Sequence, residues 1–238
     1  MTESARRTAL VTGASRGIGA ACARRLAADG FDVLVHYNAR RDRAEAVASE
    51  IGGTVVHADL SQPNGGQTLA SRLSRPIDVL VNNAGVFESG IIGDVTDRQF
   101  EDVLNVNVRA VFYLTREVTR TMPDGGRIVT IGSVGGKAAQ FVGNSIYSMS
   151  KFAIRGLSAG WARDLGPRGI TSNVVQPGPV DTDLNPATGD HSAGQVALTS
   201  IGRYATADEV AAAVSFLCSS EAAYITGAEL DVAGGWGV

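Results

Sequence analysis

Short apolar runs alternate with longer stretches of helical spacing along this chain. Thr8–Thr12, Asp32–His36, Thr54–His57, Ile77–Val81, Arg127–Ile131 and Thr171–Val175 carry Val, Ile or Leu at neighbouring positions. A strand with one wet face alternates apolar and polar residues, so these runs predict strands buried on both faces. Between them, Ile18–Ala28, Arg40–Ile51, Gly66–Ser74, Asp97–Met122 and Ile146–Leu165 space Ala, Leu and Val as amphipathic helices do. Strand–helix alternation of this kind predicts a parallel sheet covered on both sides. Gly30 and the Gly52-Gly53 pair stand where two of the helices end. A last helix at Ala207–Ser219 and a last strand at Ala228–Val232 complete the pattern, and Gly189–Gly194 reads as a mobile loop. No Pro/Gly/Ser-rich linker or internal repeat divides the chain. Residues 1–238 read as a single domain.

Composition narrows the functional classes. The chain is 44% hydrophobic, enough for a substantial core, and 19% charged. Its net charge is −3, and the densest basic cluster is the short Arg40-Arg41-Asp42-Arg43, so no nucleic-acid partner is expected. Cys22 and Cys218 lie far apart without a CxxC pair, which predicts neither a disulfide framework nor a metal site. No apolar run reaches membrane-spanning length, and Met1–Arg7 has no signal-peptide core. The expectation is a soluble, cytoplasmic protein with no membrane partner.

Candidate chemistry begins where the first strand runs into Thr12-Gly13-Ala14-Ser15-Arg16-Gly17-Ile18-Gly19, with a helix following at once. Glycines in such a turn let backbone N–H groups approach a pyrophosphate at the helix N-terminus. The spacing is GxxxGxG, and an ordinary turn is the competing reading. The second strand ends His36-Tyr37-Asn38, with no carboxylate to accept a ribose 2′-hydroxyl, and Arg40 and Arg41 follow. Guanidinium groups pair with a 2′-phosphate where a carboxylate would repel it, so the expected cofactor is NADP(H) rather than NAD. A solvated helix start would also explain either arginine.

Lysine is nearly absent: the only two are Lys137 and Lys151, against 19 arginines among 21 basic residues. Lys151 falls four residues after Tyr147, which puts both on one helical face. An ammonium there favours a phenolate and lowers the tyrosine pKa, making proton exchange near neutrality the expectation. A surface Tyr–Lys pair on an ordinary helix is the alternative.

These segments, taken in order, resemble the short-chain dehydrogenase/reductase family over essentially the whole chain. The shared motifs are Thr12–Gly19, Asn82-Asn83-Ala84-Gly85, Asn105-Val106-Asn107-Val108, Ser133 after Arg127–Gly132, Tyr147-xxx-Lys151 and Pro177–Thr182. The resemblance implies an α/β fold: a single Rossmann-type doubly wound domain with a seven-stranded parallel sheet flanked by helices. It also implies a homotetramer with contacts through the Asn107–Met122 and Ile146–Leu165 helices, the final helix and the last strand.

By the same resemblance Asn107, Ser133, Tyr147 and Lys151 are the catalytic set. Tyr147 is the general acid in reduction and base in oxidation. Ser133 donates to the same oxygen, Lys151 also binds the nicotinamide ribose, and Asn107 holds a water in a proton relay. Gly13, Ser15, Arg16, Gly17, Ile18 and Gly19 cradle the cofactor, with Tyr37, Asn38, Arg40 and Arg41 beside its ribose. Asp59 and Leu60 face the adenine, and Asn82, Ala84 and Gly85 line the nucleotide. Pro177, Gly178, Val180 and Thr182 hold the carboxamide and pyrophosphate side.

Within the family the chain is most like bacterial 3-oxoacyl-(acyl-carrier-protein) reductases, through Thr12–Gly19, Arg127–Ser133 and Ile225–Gly235. Arg168 fits their carrier-docking pattern, whereas Asp124 stands where basic residues are common, which speaks against docking. Substrate contacts are expected from Gly135–Ile146 and Asp183–Gly194. Phe141 and Val142 there favour an apolar ketone, although Lys137, Gln140 and Asn144 are polar. The expected activity is NADPH-dependent reduction of a small-molecule ketone or a 3-oxoacyl thioester. An NAD-dependent alcohol or sugar dehydrogenase and a non-catalytic nucleotide-sensing protein are the alternatives.

Overall fold

The computed structural model describes residues 6–139 and 141–236. The expectations for Met1–Ala5 and Gln140 therefore lie outside the described residues. Seven strands form one parallel sheet in the order β3-β2-β1-β4-β5-β6-β7. They are β1 (Thr8–Val11), β2 (Asp32–Tyr37), β3 (Thr54–His57), β4 (Val79–Asn82), β5 (Arg127–Ile131), β6 (Thr171–Pro177) and β7 (Glu229–Val232). The helices are α1 (Gly17–Ala28), α2 (Arg41–Ile51), α3 (Gly65–Ser71), α4 (Asp97–Leu104), α5 (Ala110–Thr119), α6 (Ser145–Leu165), α7 (Ser192–Ala197) and α8 (Ala207–Cys218).

The doubly buried runs explain the layering. Along β1, Ala9 and Val11 turn into one core with Leu26 of α1, Val47 of α2 and Leu217 of α8. Leu10, between them, turns into a second core with Leu69 of α3 and Leu114 and Val118 of α5. The two-residue period of a strand thus feeds a helix layer on each face. Strand order reverses between β1 and β4, and ligands of open α/β sheets bind in the crevice at such a switch point.

Three elements differ from the pattern. Thr54–His57, expected to be buried on both faces, is the edge strand β3, with Thr54 and His57 exposed and Val55 and Val56 half-buried. The run expected as one helix over Asp97–Met122 is broken by a π turn at Asn105–Arg109, where the Ala110 N–H reaches back to the Asn105 carbonyl. Its side-chain spacing stays near-helical, so periodicity does not reveal it. Gly189–Gly194, expected as a loop, runs into the short helix α7 from Ser192.

Candidate active site

The glycine turn leaves β1 at the switch point. Gly13 and Gly17 hold φ of +64° and +54°, which L side chains rarely adopt. A Cβ on Gly19 would overlap the Gly13 carbonyl oxygen and Asn83 Nδ2. The N-terminus of α1 has no side-chain cap and no acidic residue in its first turn. Its N–H groups are left for an external acceptor, as a pyrophosphate site requires.

Side chains outside the turn fix it. Thr12 Oγ1 accepts from the N–H groups of Asn83 and Ala84, both at 2.9 Å. Asn83 Nδ2 donates to the carbonyls of Thr12 and Gly13 at 2.8 and 3.2 Å. The Gly13 N–H donates to His36 Nδ1 at 3.0 Å, and His36 Nε2 lies 3.1 Å from the Ala58 carbonyl. Burial pushes the His36 pKa down to about 4. The sequence assigned no role to Asn83, which appears there only within the Asn82–Gly85 motif, or to His36, which appears only at the end of the second strand. Thr182 closes the opposite wall, with its methyl 3.3 Å from where a Gly17 Cβ would stand.

On the ribose side the arginines part company. Arg41 Nε pairs with Glu45 at 2.7 Å along its own helix, and Arg40 is exposed at the start of α2. Arg16 and Arg43 instead converge on Asp183 Oδ2, at 3.5 and 2.5 Å. Arg43 was not among the expected residues, yet it shares the Asp183 carboxylate with Arg16 of the glycine turn. Asp59 accepts from Asn38 Nδ2, from the Ser61 N–H and hydroxyl, and from Gln62. These hydrogen bonds outweigh desolvation and hold its pKa below the usual carboxylate value. Asp59 and Asn38 thus sit together at the ends of β3 and β2.

Four catalytic candidates assemble around the ends of β4 and β5. Ser133 follows β5; its N–H donates to Gln176 Oε1 at 2.7 Å and its Oγ accepts from the Gly135 N–H at 3.0 Å. A Cβ on Gly135 would stand 3.3 Å from Ser133 Oγ and 3.4 Å from the Tyr147 ring, so hydroxyl and phenol flank one glycine. Phe87 packs edge-on against Tyr147, ring centroids 5.0 Å apart. Lys151 is buried, donates to the Ile131 carbonyl at 2.9 Å, and lies 5.7 Å from the Tyr147 ring centroid.

Asn107 projects from the π turn, wholly buried. Its amide protons reach the Val86 carbonyl and Ser150 Oγ, and its Oδ1 takes the Val86 N–H, at 2.9–3.0 Å. Ser150 in turn donates to the Tyr147 carbonyl at 2.7 Å. A Cβ on Gly85 would stand 3.4 Å from Asn107 Oδ1 and 3.7 Å from Lys151 Nζ. Ala84, one residue earlier, touches Gly13, so the catalytic candidates adjoin the glycine cradle.

Three expectations change at this level. Burial raises the Tyr147 pKa, opposed by hydrogen bonding to Ser133, where sequence spacing had suggested lowering by Lys151. The lysine itself is desolvated, its pKa pushed down to about 8. The Asn82 side chain is buried among protein groups and donates to Thr115 at 3.1 Å and Thr130 at 3.4 Å. Both amide protons of Asn107 are taken by protein, so its side chain ties the Val86 backbone to α6. Lys137, the other lysine, is a surface residue that pairs with Asp231 at 2.7 Å.

Known proteins match this arrangement along nearly its full length. Residues 13–237 match the family model described as enoyl-(acyl carrier protein) reductase. The chain belongs to the short-chain dehydrogenase/reductase family. Among curated members of the family, the cyclic-di-GMP-binding biofilm dispersal mediator protein of Escherichia coli K12 is 41% identical, with 97% of each chain covered. The 3-oxoacyl-(acyl-carrier-protein) reductase of the same strain is 39% identical over 95% of this chain and 96% of that one. A blue fluorescent protein from a metagenomic library, solved with NADPH, superposes with a TM-score of 0.94 at 44% identity, covering 98% of both chains. No described helix of this family member is long and apolar enough to cross a membrane. Among the described residues no cluster of His, Cys, Asp or Glu is arranged to hold a metal.

Proposed function

We propose that this protein is an NADPH-dependent carbonyl reductase. The observation that carries the reading is Ser133 Oγ and the Tyr147 ring flanking Gly135, with buried Lys151 and Asn107 behind them, beside a glycine cradle. The cradle suits a dinucleotide: Gly19 packs under the Gly13 carbonyl and Asn83 with no room for a Cβ, which holds the turn tight, and the α1 N-terminus is uncapped. NADP(H) is favoured over NAD because β2 ends without a carboxylate and Arg16 and Arg43 converge beside the turn. The NADPH held by the metagenomic relative supports the same choice. The expected cofactor residues of Thr12–Gly19, Asp59, Ala84-Gly85 and Pro177–Thr182 keep their assigned places in this reading.

Bound NADPH supplies the hydride. Tyr147 donates the phenolic proton to the substrate oxygen as charge builds there. Ser133 accepts from the Gly135 N–H, which leaves its own proton to donate to the same oxygen. Lys151, buried and donating to the Ile131 carbonyl, is the cation available to grip the nicotinamide ribose. Phe87 against Tyr147, with Phe141 and Val142 exposed on the following loop, suits an apolar ketone. Docking of an acidic carrier protein is disfavoured, because the Arg168 guanidinium is held by Asp124 at 2.9 Å and by the carbonyls of Thr119 and Met122.

Tyr147→Phe removes only the proton-bearing oxygen. Turnover of NADPH against a ketone panel that includes a 3-oxoacyl thioester should fall by several orders of magnitude, with NADPH binding unchanged. Turnover near that of the unaltered protein would defeat the mechanism. The name of the 41% identical relative favours a second reading, binding of a cyclic dinucleotide. Titration with cyclic-di-GMP in competition with NADPH separates the two.

A further inference from the structure

We infer that His36 is a positioning residue for the cofactor, acting through the Gly13 N–H at the start of the glycine turn. This rests on the NADPH reading of the site above. His36 sits inside β2 with 2% of its surface exposed and touches none of the catalytic groups described. Its neighbours make its bonding unambiguous. A backbone N–H only donates, so Nδ1, 3.0 Å from the Gly13 nitrogen, carries no proton. The proton lies on Nε2 and is donated to the Ala58 carbonyl 3.1 Å away. A protonated imidazole would present an N–H to an N–H. The neutral ring is the only form that satisfies both partners.

The two partners are not arbitrary pieces of backbone. Gly13 opens the phosphate turn, and its carbonyl is held by Asn83 and packed under Gly19. Ala58 leads directly into Asp59, the residue expected over the adenine. The backbone of residue 36 adds a third tie, its carbonyl accepting from the Ala14 N–H at 2.9 Å. One imidazole therefore sets the distance between the phosphate turn and the adenine end of the site. A buried histidine satisfied on both nitrogens would ordinarily be read as core. The difference lies in what its Nδ1 restrains: a glycine at φ +64°, with no side chain of its own to hold it in place.

Covalent geometry offers a test that packing alone does not pass. Asparagine places its amide oxygen one bond beyond Cγ, as Nδ1 is, and keeps an acceptor for Gly13. Glutamine places its polar atoms one bond further out, like Nε2, and keeps only a partner for Ala58. NADPH dissociation constants are measured by fluorescence titration for the unaltered protein, His36→Asn and His36→Gln, with melting temperature and kcat recorded for each. The expected result is affinity within about threefold for His36→Asn and about tenfold weaker for His36→Gln, the loss of one net hydrogen bond. In both variants the change should fall mainly on the KM for NADPH, with kcat at saturating NADPH changing by a smaller factor. Should His36→Gln fail to fold, His36→Leu, which fills the space without an acceptor, replaces it with the same expectation. Equal affinities across the set, or equal losses in His36→Asn and the acceptor-free variant, would overturn the assignment. Absence of NADPH binding to the unaltered protein would overturn the cofactor reading on which it rests.

Discussion

Lys151 is buried, with the Ile131 carbonyl as its one hydrogen-bond partner among the described residues, and burial alone brings its pKa to about 8. At neutral pH it remains mostly cationic, but its charge is lost at a clearly lower pH than that of a free lysine. Burial moves Tyr147 the other way, above the ordinary phenol. Within this pair, the first ionisation above neutrality therefore belongs to the lysine, not the tyrosine. If the ammonium grips the ribose, kcat/KM for NADPH falls as pH rises through about 8, since that parameter reports the free enzyme. The sign follows from the protonated form being the binding form. Lys151→Arg stays charged throughout and should lose this limb, at a lower plateau because the planar head fits poorly. A profile flat from pH 7 to about 9.5 would remove Lys151 from cofactor binding. His36 carries the opposite linkage. It is neutral when folded, with its pKa near 4, so the unfolded chain binds the extra proton between about 6.5 and 4. Stability present above that window is lost as pH falls through it, up to about 3 kcal/mol. Denaturation midpoints between pH 7 and 4 should show His36→Asn losing less than the unaltered protein.

At the scale of elements, the site depends on places where regular structure is interrupted. The glycine turn is one. Gly19→Ala puts a methyl group into the Gly13 carbonyl, whose shift must disturb the Asn83 and His36 ties. NADPH affinity should fall at least tenfold, a loss of about 1.4 kcal/mol, with a lower melting temperature. Titration and melting on the same samples check both, and wild-type affinity would mean that the cradle is not where the cofactor binds. The π turn is the other interruption. Without its extra residue Asn107 would not face Val86 and Ser150, and the segment after β4 would lose its anchor to α6. The contrast shows what a sequence carries. All seven strands were legible, because a run such as Ala9-Leu10-Val11 is apolar on both faces and only a doubly covered sheet buries it. The glycine turn and the Tyr147–Lys151 spacing were legible because backbone freedom and helix period are local properties. The π turn was not, since one extra residue barely shifts apolar spacing. Nor were His36, Asn83 and Gln176, whose partners lie 22 to 71 residues away and are joined by the sheet alone. Tyr147 shows the sharper limit: spacing placed the ammonium near the phenol, but the direction of the pKa shift depends on desolvation by the whole fold.

For the whole molecule, the surface away from the site is the remaining question. Large apolar side chains stand exposed on two separate faces: Phe112 and Phe152 on α5 and α6, and Phe216 on α8 with Tyr224 after it. The strand β7 pairs only with β6, leaving a free sheet edge near the second face. Exposed apolar surface and an open edge both favour association over isolation. Two distinct faces would generate a closed four-chain assembly if each paired with its own copy about a two-fold axis. This gives physical content to the expected homotetramer. In a two-fold interface each phenylalanine is present twice, so one substitution removes two buried rings at about 1.5–3 kcal/mol each. Glutamate there also adds facing like charges. Light scattering should therefore give four times the 24.7 kDa chain for the unaltered protein. Phe112→Glu and Phe216→Glu should each give half that mass, and the double variant a single chain. A single-chain mass for the unaltered protein at micromolar concentration would refute the assembly. If both single variants keep the full mass, the faces that join the chains lie elsewhere.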